Sequence, residues 1–305
     1  MPWRLDLQAK FPRFRGPLAR VVNETKRAII LTISTVDLAC QFDNFVQHWA
    51  SSCVEHPLVA VNLDAGSLSN CGKIRERLLS QLSDIVQPVM LCVDLSGWLP
   101  QHQQQDQTAS PLYNVASHFR NCYFRLVNWA KPLVIKAALT VQLAAGRNDG
   151  VLYLDNDVLL KGDLMKCIKD RVEPEVAIAT GMWSNSKSWP APGVMFAWGE
   201  QGYELLKHLS HQCTTSRGVD GRARGFMDDA EELRHMLLHS SYLRKHNVTR
   251  EVHLLPKSII GEAAYPNSTY ATHCNGQVDK TLSQWQQAMW KPSLPDCQWS
   301  GPTAT

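Results

Sequence analysis

The sequence lacks the patterns that mark three common classes of protein. Its nine cysteines include no C-x-x-C pair and no zinc-binding spacing, which argues against the usual structural zinc modules. No apolar segment approaches the ~18 residues of a membrane-spanning helix, and the N-terminus has no signal-peptide core. Lys and Arg number 31 against 28 Asp and Glu, a near-balance that gives no reason to expect a nucleic-acid partner. We therefore expect a soluble chain with no membrane span and no nucleic acid, although loss of an upstream anchor would leave the same pattern.

Cysteines and glycosylation triplets bear on the compartment of the protein. The cysteines are either reduced, partly buried thiols or form one or two disulfides in an oxidising compartment. Three N-x-S/T triplets begin at Asn23, Asn247 and Asn267, and they mildly favour a secretory glycoprotein.

The chain shows no internal repeat and no clean linker, so we predict one domain over residues 28–285. In the preceding residues, 1–27, Lys and Arg outnumber Asp6 and Glu24. This bias favours a solvated, flexible basic arm, with a membrane-surface or targeting role as the alternative. Residues 286–305 are assigned to a C-terminal tail.

Apolar, β-branched segments alternate with segments of helical spacing in the first third of the chain. The apolar segments cover residues 28–35, 56–64 and 88–95. Such alternation predicts βαβ units and a parallel sheet. The apolar residues are continuous, as in strands that helices cover on both faces. The sequence therefore predicts an α/β fold with a Rossmann-like, mostly parallel central sheet and flanking helices.

The later elements are less regular. The Gln-rich segment 101–111 is typical of a surface loop. Residues 124–146 have the pattern of a long amphipathic helix, with Pro132 near its start and Gly146 at its C-terminal end. Further strands are predicted at 151–160, 176–182, 193–198 and 252–260, and further helices at 199–212 and 228–246. The C-terminal third is expected to be the least regular part.

Two carboxylates two residues apart follow the apolar segment VLYL. Residues i and i+2 of a strand point the same way, so Asp155 and Asp157 should converge at the carboxyl end of a parallel strand, where such sheets bind ligands. Adjacent carboxylates repel each other unless a cation lies between them. Mg²⁺ or Mn²⁺ accepts such oxygen ligands and neutralises a diphosphate. The alternative without function is a strand that ends in an acidic turn.

One class of enzyme with an apolar strand followed by D-x-D is the haloacid-dehalogenase-type phosphatases. Their first Asp is the nucleophile, and the second is a general acid or base. Their motif normally lies on the first strand and precedes Gly-Thr, whereas the D-x-D here follows at least a fourth strand and precedes Val158. The second acidic pair that they need would be Asp228-Asp229, which follows a poor strand. A phosphatase is therefore the weaker alternative.

The segment VLYLDNDVLLKGDL resembles the metal-binding strand of GT-A-type glycosyltransferases, in particular the glycogenin-like and nucleotide-diphospho-sugar transferase families. FDNFVQHWASSCVEHPLVAVNLD is similar to their early helix and strand and ends at Asp64. Lys136 and Gly193 resemble a Lys before the D-x-D and the Gly of an N-x-G segment. His273 and Gly276 in HCNGQVDK match the H-x-x-G that closes such domains. The resemblance runs over most of the chain and implies a GT-A fold.

The resemblance also implies three sets of site residues. Asp155, Asp157 and His273 would bind Mn²⁺ or Mg²⁺ that bridges the donor diphosphate. Asp228 and Asp229 would orient the acceptor hydroxyl or the sugar, with a helix N-cap as the alternative. The residues expected to contact the nucleotide sugar are Ser34, Thr35, Asp64, Arg125, Lys136, Asn156, Gly193, Gly276 and Lys280.

These assignments have physical reasons of different strength. Gly276 would let the backbone approach a phosphate, and Lys280 would neutralise the leaving diphosphate. Asn156 would face the opposite side of the strand from its neighbours or hydrogen-bond to backbone. For Ser34, Thr35 and Asp64 a plain strand end is an equal alternative.

The sequence departs from the pattern of these families at four places. Lys280 lies one residue later than in the glycogenin-like H-x-x-G-x-x-K, and Arg125 is farther from Asp155 in sequence than their donor-contacting Arg. Ala191 stands where an Asn is expected two residues before Gly193, and the late helix has Asp228-Asp229 without the expected Gln. These departures leave open a non-catalytic carbohydrate-binding or scaffold protein with the same fold.

The resemblance thus implies a metal-dependent glycosyltransferase. It would move a sugar from a nucleoside-diphosphate sugar, with UDP as the expected nucleotide, to a hydroxyl acceptor such as a glycan or glycoprotein, with retention of configuration. Related enzymes work in the Golgi, so we expect the Golgi or secretory-pathway lumen, with the cytoplasm as the alternative.

Overall fold

The computed structural model describes residues 6–52, 55–81, 88–96, 122–172, 176, 178–182, 190–215, 233, 252–262 and 268–273. Within these ranges the strands form two sheets, one of seven strands and one of three. The predicted α/β class and mostly parallel central sheet are confirmed. The predicted loop at 101–111 lies outside the described residues, as does the predicted helix at 228–246 except for Leu233.

The parallel half of the large sheet consists of four strands. They are β1 (Ile29–Ser34), β2 (Leu58–Asn62), β3 (Met90–Asp94) and β4 (Val151–Leu154). β2 lies between β3 and β1, β4 lies on the other side of β1, and all three pairings are parallel. Every residue of β1, β2 and β4 is buried, as the continuous apolar segments predict. The carboxyl ends of the four strands therefore meet at one edge of the sheet.

The apolar segment 151–160 is two strands rather than one. β4 ends at Leu154, and β5 (Val158–Leu160) begins after the D-x-D and belongs to the small sheet. The prediction of one continuous strand is wrong because three polar residues interrupt the apolar pattern and form a turn. The chain passes from one sheet to the other at this turn.

The second half of the large sheet is mixed. β6 (Ile178–Met182), β7 (Pro190–Ala197) and β8 (Val252–Leu254) complete the order β3-β2-β1-β4-β7-β6-β8. β7 is antiparallel to both β4 and β6, and β8 is parallel to β6. The strands predicted at 176–182 and 193–198 are confirmed.

The small sheet has β10 (Ala271–His273) at its centre, between β5 and β9 (Ile260–Glu262). β10 is antiparallel to β5 and parallel to β9. The single strand predicted at 252–260 is wrong, because Pro256 lies in a turn between β8 and β9. The Pro256 carbonyl accepts the N–H groups of Ile259 and Ile260, and a proline cannot donate to a strand ladder.

Helices cover both faces of the large sheet. They are α1 (Asp6–Thr25), α2 (Ala39–Ser52), α3 (Ala65–Gln81), α4 (Cys122–Ala144), α5 (Leu164–Arg171) and α6 (Gly199–Thr215). Alternate residues of β1 join different cores: Ile29 and Leu31 pack with α1, α4 and α6, whereas Ile30 packs with α2, α3 and α5. The result is a three-layer arrangement of helices, sheet and helices.

The helices predicted at 124–146 and 199–212 are confirmed as α4 and α6. Pro132 lies inside α4, and Gly146 follows its end with a φ of +67°. The Gly146 N–H donates to the Leu143 carbonyl. This left-handed conformation, which glycine adopts without strain, ends the helix.

The prediction of a solvated, flexible arm over residues 1–27 is wrong for the part that the structure describes. Residues 6–25 form α1, and Leu18, Val21 and Val22 are buried in the same core as α4. The prediction rested on the count of basic residues in this segment. Such a count does not show that the apolar residues lie at helical spacing and form one buried face of the helix.

A disulfide bond joins Cys71 of α3 to Cys92 of β3, with a Cα–Cα distance of 5.9 Å. Cys40 is also disulfide-bonded, whereas Cys167 is a buried free thiol. The cysteines were expected to be either reduced thiols or disulfide-bonded, and the structure contains disulfide bonds. Among the described helices, none is both long and apolar enough to cross a membrane.

Candidate functional site

The D-x-D lies in the turn that connects the two sheets. Asp155 follows β4, and the Val158 N–H donates to the Asp155 carbonyl across 3.1 Å at the start of β5. The expectation that both carboxylates point the same way along a strand does not apply, because Asp155 and Asp157 are turn residues. The turn, rather than the two-residue period of a strand, therefore sets the positions of these two residues.

Asn156 anchors this turn to β1. Its side chain, in a residue only 4% exposed, accepts the Thr32 hydroxyl at Oδ1 across 2.6 Å and donates from Nδ2 to the Ile33 carbonyl across 3.0 Å. Of the two predictions for Asn156, the structure therefore contains the hydrogen bond to backbone. Asn156 binds the protein itself, and its contact with a nucleotide sugar stays a prediction.

Asp155 is held from three directions. Its N–H donates to the Gly193 carbonyl of β7 across 2.8 Å. The Tyr153 hydroxyl donates to Oδ1 across 2.6 Å, and the Lys131 ammonium donates to Oδ2 across 2.9 Å. Because Tyr153 and Lys131 are both buried, the orientation of the Asp155 carboxylate is set by the core.

Lys131 is a residue of the site that sequence reasoning missed. It lies in α4, its side chain is 6% exposed, and its Nζ is also 5.6 Å from the centroid of the Tyr153 ring. The available signal was a lone cation in the apolar segment NWAKPLVI, since lysine is rarely buried without a partner. The family resemblance instead predicts a nucleotide-sugar contact for Lys136, and that contact stays a prediction.

The register of the small sheet brings His273 to the D-x-D. In the pairing of β10 with β5, His273 lies opposite Val158, the residue after Asp157. The structure thus places the backbone of all three predicted metal ligands in one region. In the described part of the chain no complete cluster of three His, Cys, Asp or Glu side chains is formed, and the side chain of His273 is outside that description.

This donor set fits a hard divalent cation. Two carboxylates of one turn supply oxygen ligands, and a histidine on the neighbouring strand can supply an imidazole. The rigid Asn156 anchor and the fixed orientation of Asp155 add the support that metal ligands usually need. The residues present are therefore compatible with Mn²⁺ or Mg²⁺.

Three of the predicted nucleotide contacts lie at the carboxyl ends of β1 and β2. Ser34 ends β1, Thr35 follows it, and both residues are buried. The Asp64 carboxylate accepts the Val36 N–H at Oδ2 across 2.9 Å and the Ser67 N–H at Oδ1 across 2.7 Å. Asp64 therefore caps α3 and joins it to the chain after β1, and its contact with a nucleotide stays a prediction.

Asn62 is a further polar residue at this edge, and sequence reasoning did not identify it. It is the last residue of β2 and lies opposite Ser34 of β1 and Asp94 of β3. Its Nδ2 donates to the Ala60 and Val93 carbonyls, and its buried Oδ1 has no hydrogen-bond partner within the described ranges. The residue was hidden because it continues an apolar strand pattern.

The other predicted contacts are placed in part. Lys136 is half-buried on α4, Arg125 lies in the first turn of that helix, and Gly193 contacts Asp155 through its carbonyl. The side chain of Arg125 is not among those described. Predicted residues that lie wholly outside the described ranges are Asp228, Asp229, Gly276 and Lys280.

Comparison with known proteins identifies the fold. No protein-family model and no curated protein sequence matches the chain. The glycosyltransferase GlyE of Streptococcus pneumoniae TIGR4 is similar in structure, with 12% identity, a TM-score of 0.55, and coverage of 89% of this chain and 61% of GlyE. The bifunctional glycosyltransferase WbbM has 11% identity and a TM-score of 0.51, with 87% and 51% covered. The chain thus spans less than two thirds of either protein. At these identities the likeness is one of fold, and by that measure the chain has the GT-A-type glycosyltransferase fold that its sequence predicts.

Proposed function

We propose that this protein is a glycosyltransferase that uses a nucleoside-diphosphate sugar and a divalent metal ion. The observation that carries the proposal is the D-x-D turn at the carboxyl edge of the parallel strands, with His273 on the strand paired to β5. Parallel sheets bind their ligands at this edge. The fold shared with GlyE and WbbM supports the same class of reaction.

Asp155, Asp157 and His273 would hold Mn²⁺ or Mg²⁺. When bound, such an ion neutralises the diphosphate and stabilises the negative charge that develops on the leaving nucleotide. The protein's own contribution is preorganisation. Hydrogen bonds from Thr32 and Tyr153 and to the Ile33 carbonyl orient Asn156 and Asp155 within the turn, which is the support that a binding site needs.

The nucleoside would lie along the ends of β1 and β2, near Ser34 and Thr35, with UDP as the expected nucleotide. Lys280 would neutralise the diphosphate, and Asp228 and Asp229 would orient the acceptor, a hydroxyl of a glycan or glycoprotein. Retention of configuration is proposed from the family resemblance alone. The remaining proposed donor contacts are Asp64, Arg125, Lys136, Asn156, Gly193 and Gly276.

Release of nucleotide from sugar nucleotides tests the proposal. Purified protein with Mn²⁺ should release the nucleoside diphosphate slowly from at least one donor in a panel of UDP-, GDP- and dTDP-sugars. Asp157→Asn should lower this rate at least about 100-fold, since it removes a charged ligand from the site of the developing charge. Asp170→Asn, on the exposed end of α5, is the matched control and should keep the unsubstituted rate.

The outcomes separate the alternatives. Nucleotide release that needs Mn²⁺ and Asp157 supports the transferase. No release from any donor, with Asp157→Asn unchanged, favours a non-catalytic carbohydrate-binding or scaffold protein. Hydrolysis of a simple phosphate ester that depends on Asp155 favours the phosphatase.

We also propose that the protein works in the lumen of the Golgi or secretory pathway. The support is the Cys71–Cys92 disulfide and the disulfide-bonded Cys40, since stable disulfides form in oxidising compartments. Asn23 of the first glycosylation triplet is exposed. Peptide mapping of protein isolated from its cells under non-reducing conditions tests this, and reduced thiols at Cys71 and Cys92 would favour the cytoplasm.

A further inference from the structure

The charges at the D-x-D are already partly compensated by the protein. Lys131 Nζ lies 2.9 Å from Asp155 Oδ2, and its side chain is almost wholly removed from solvent. Counting one unit for each group, Asp155, Asp157 and Lys131 together carry one net negative charge instead of the two of the carboxylates alone. An incoming divalent cation therefore meets an ammonium group as well as carboxylates.

The position of Lys131 is fixed by the fold. α4 packs in the core that also contains Tyr153, and Lys131 contacts both the Tyr153 ring and the carboxylate to which that ring's hydroxyl donates. A lysine so placed cannot simply swing into solvent to make room for a metal ion. Its charge stays near Asp155 in any state that keeps this core.

Lys131 has opposite effects on the binding of a cation and on the binding of an anion. A fixed ammonium a few Å from a divalent cation weakens cation binding at least about tenfold even at the dielectric constant of water. A diphosphate bound beside the cation gives the same ammonium a favourable partner. The penalty of Lys131 on the cation is thus offset when the anion is present.

We propose that Lys131 couples the binding of the divalent metal to the binding of the nucleoside diphosphate. It opposes metal binding at Asp155 and Asp157 while the nucleotide site is empty, and it favours the metal and diphosphate together. By linkage, the same coupling makes the nucleotide bind better when the metal is present. Lys131 thus acts through Asp155 and through its own charge, and it makes the metal site favour a metal ion that is accompanied by a diphosphate. The inference rests on the proposed function, because it takes the D-x-D to be the metal site.

Titration with Mn²⁺ tests this coupling without measuring activity. Free Mn²⁺ is followed by its electron paramagnetic resonance signal, with and without UDP, in the unsubstituted protein and in Lys131→Met. Lys131→Met should bind Mn²⁺ about tenfold more tightly than the unsubstituted protein when UDP is absent. Addition of UDP should strengthen Mn²⁺ binding less in Lys131→Met than in the unsubstituted protein.

Three further variants control for structure and for charge elsewhere. Lys131→Gln keeps a polar side chain and should behave like Lys131→Met, which guards against a folding defect specific to methionine. Lys131→Arg keeps the charge and should retain the coupling to UDP. Lys166→Met removes an exposed charge from α5 and should change neither Mn²⁺ affinity nor coupling. Thermal unfolding of each variant confirms that the comparison is made on folded protein.

The failures of the two proposals are distinguishable. If the unsubstituted protein binds Mn²⁺ but neither Lys131→Met nor Lys131→Gln binds it more tightly without UDP, the coupling is refuted and the proposed function stands. Weaker Mn²⁺ binding in both variants also refutes the coupling and makes Lys131 a residue that only orients Asp155. If the unsubstituted protein binds no Mn²⁺ even with UDP, the metal dependence fails and the coupling fails with it.

Discussion

Asp155 is the residue whose local contacts most constrain the chemistry of the site. Each carboxylate oxygen accepts a hydrogen bond from a buried donor, Tyr153 to Oδ1 and Lys131 to Oδ2. The two donors differ in what their loss would leave behind. Without the carboxylate the Lys131 ammonium loses this ion pair, whereas without the tyrosine hydroxyl the ion pair persists.

Substitution of Asp155 should therefore destabilise the protein more than removal of the Tyr153 hydroxyl. We expect Asp155→Ala to lower the free energy of unfolding by about 3 kcal/mol, because it leaves a buried lysine without this partner. Tyr153→Phe removes one hydrogen bond and keeps the ring against Lys131, and it should cost about 1 kcal/mol. Urea unfolding monitored by circular dichroism measures both. Equal losses would contradict a buried ion pair at this position.

His56 should give the stability a dependence on pH. Its Nε2 lies 3.6 Å from Asp163 Oδ1. Burial lowers the pKa of His56 below the ordinary value of 6.5, the Asp163 carboxylate opposes this shift, and Lys169 and Arg27 add to it. The folded protein thus resists a proton that the unfolded chain accepts. The contribution of neutral His56 is complete above pH 6.5 and is lost as the pH falls from there toward the lowered pKa.

The test compares the free energy of unfolding at pH 7.5 and at pH 5.5 in the unsubstituted protein and in His56→Gln. The unsubstituted protein should lose more stability across this interval than the variant. His253→Gln, at an exposed position on β8, is the control and should leave the pH dependence unchanged. Identical pH dependence in all three proteins would rule out His56 as a source of it.

At the scale of elements, α1 is the helix for which the sequence-based prediction and the structure differ most. Its basic residues predicted a solvated arm, but Leu18 and Val22 are fully buried beside α4. Composition averages over a helix, whereas burial depends on which positions share a face.

Substitutions on the two faces of α1 should therefore have different effects on stability. Leu18→Ala should lower the free energy of unfolding by about 3 kcal/mol, because it leaves a cavity in the core. Arg20→Ala, at an exposed position of the same helix, should change it by less than about 0.5 kcal/mol. Urea unfolding of both variants measures the difference. Equally small effects would mean that α1 does not pack in the core and that the prediction of a solvated arm was correct.

α4 shows why the sequence did not reveal that Lys131 contacts Asp155. Residues 130, 131, 133–135, 137 and 138 are all buried, so the helix has a broad buried surface rather than a narrow stripe. Five residues separate Lys131 from Lys136, and at 3.6 residues per turn they face different directions. Only the packing of α4 on the sheet determines which of them reaches the D-x-D.

At the scale of the whole molecule, the disulfide ties the edge of the large sheet to a helix on its face. Cys71 and Cys92 are separated by 21 residues, and closing such a loop restricts the unfolded chain. Replacing both by alanine should lower the free energy of unfolding by about 3 kcal/mol. Urea unfolding under non-reducing conditions tests this. A loss below about 0.5 kcal/mol would mean that the disulfide adds little to stability.

The candidate site exists because two sheets meet. β4 ends in the large sheet and β5 begins in the small one, so the turn between them holds the D-x-D at their junction. β10 then brings His273 beside β5, more than a hundred residues later in the chain. A site assembled in this way depends on the global fold rather than on any one element.

The sequence by itself determined the class of fold, most strands of the large sheet and the location of the D-x-D. The fold class and these strands follow from a local pattern, because continuous apolar segments form buried strands. Only the tertiary structure decided that Lys131 and Tyr153 hold Asp155, that Asn156 bonds to β1, and that α1 belongs to the core. Those contacts join residues that are distant in sequence or depend on the orientation of a helix, and no local pattern encodes the partner across the sheet.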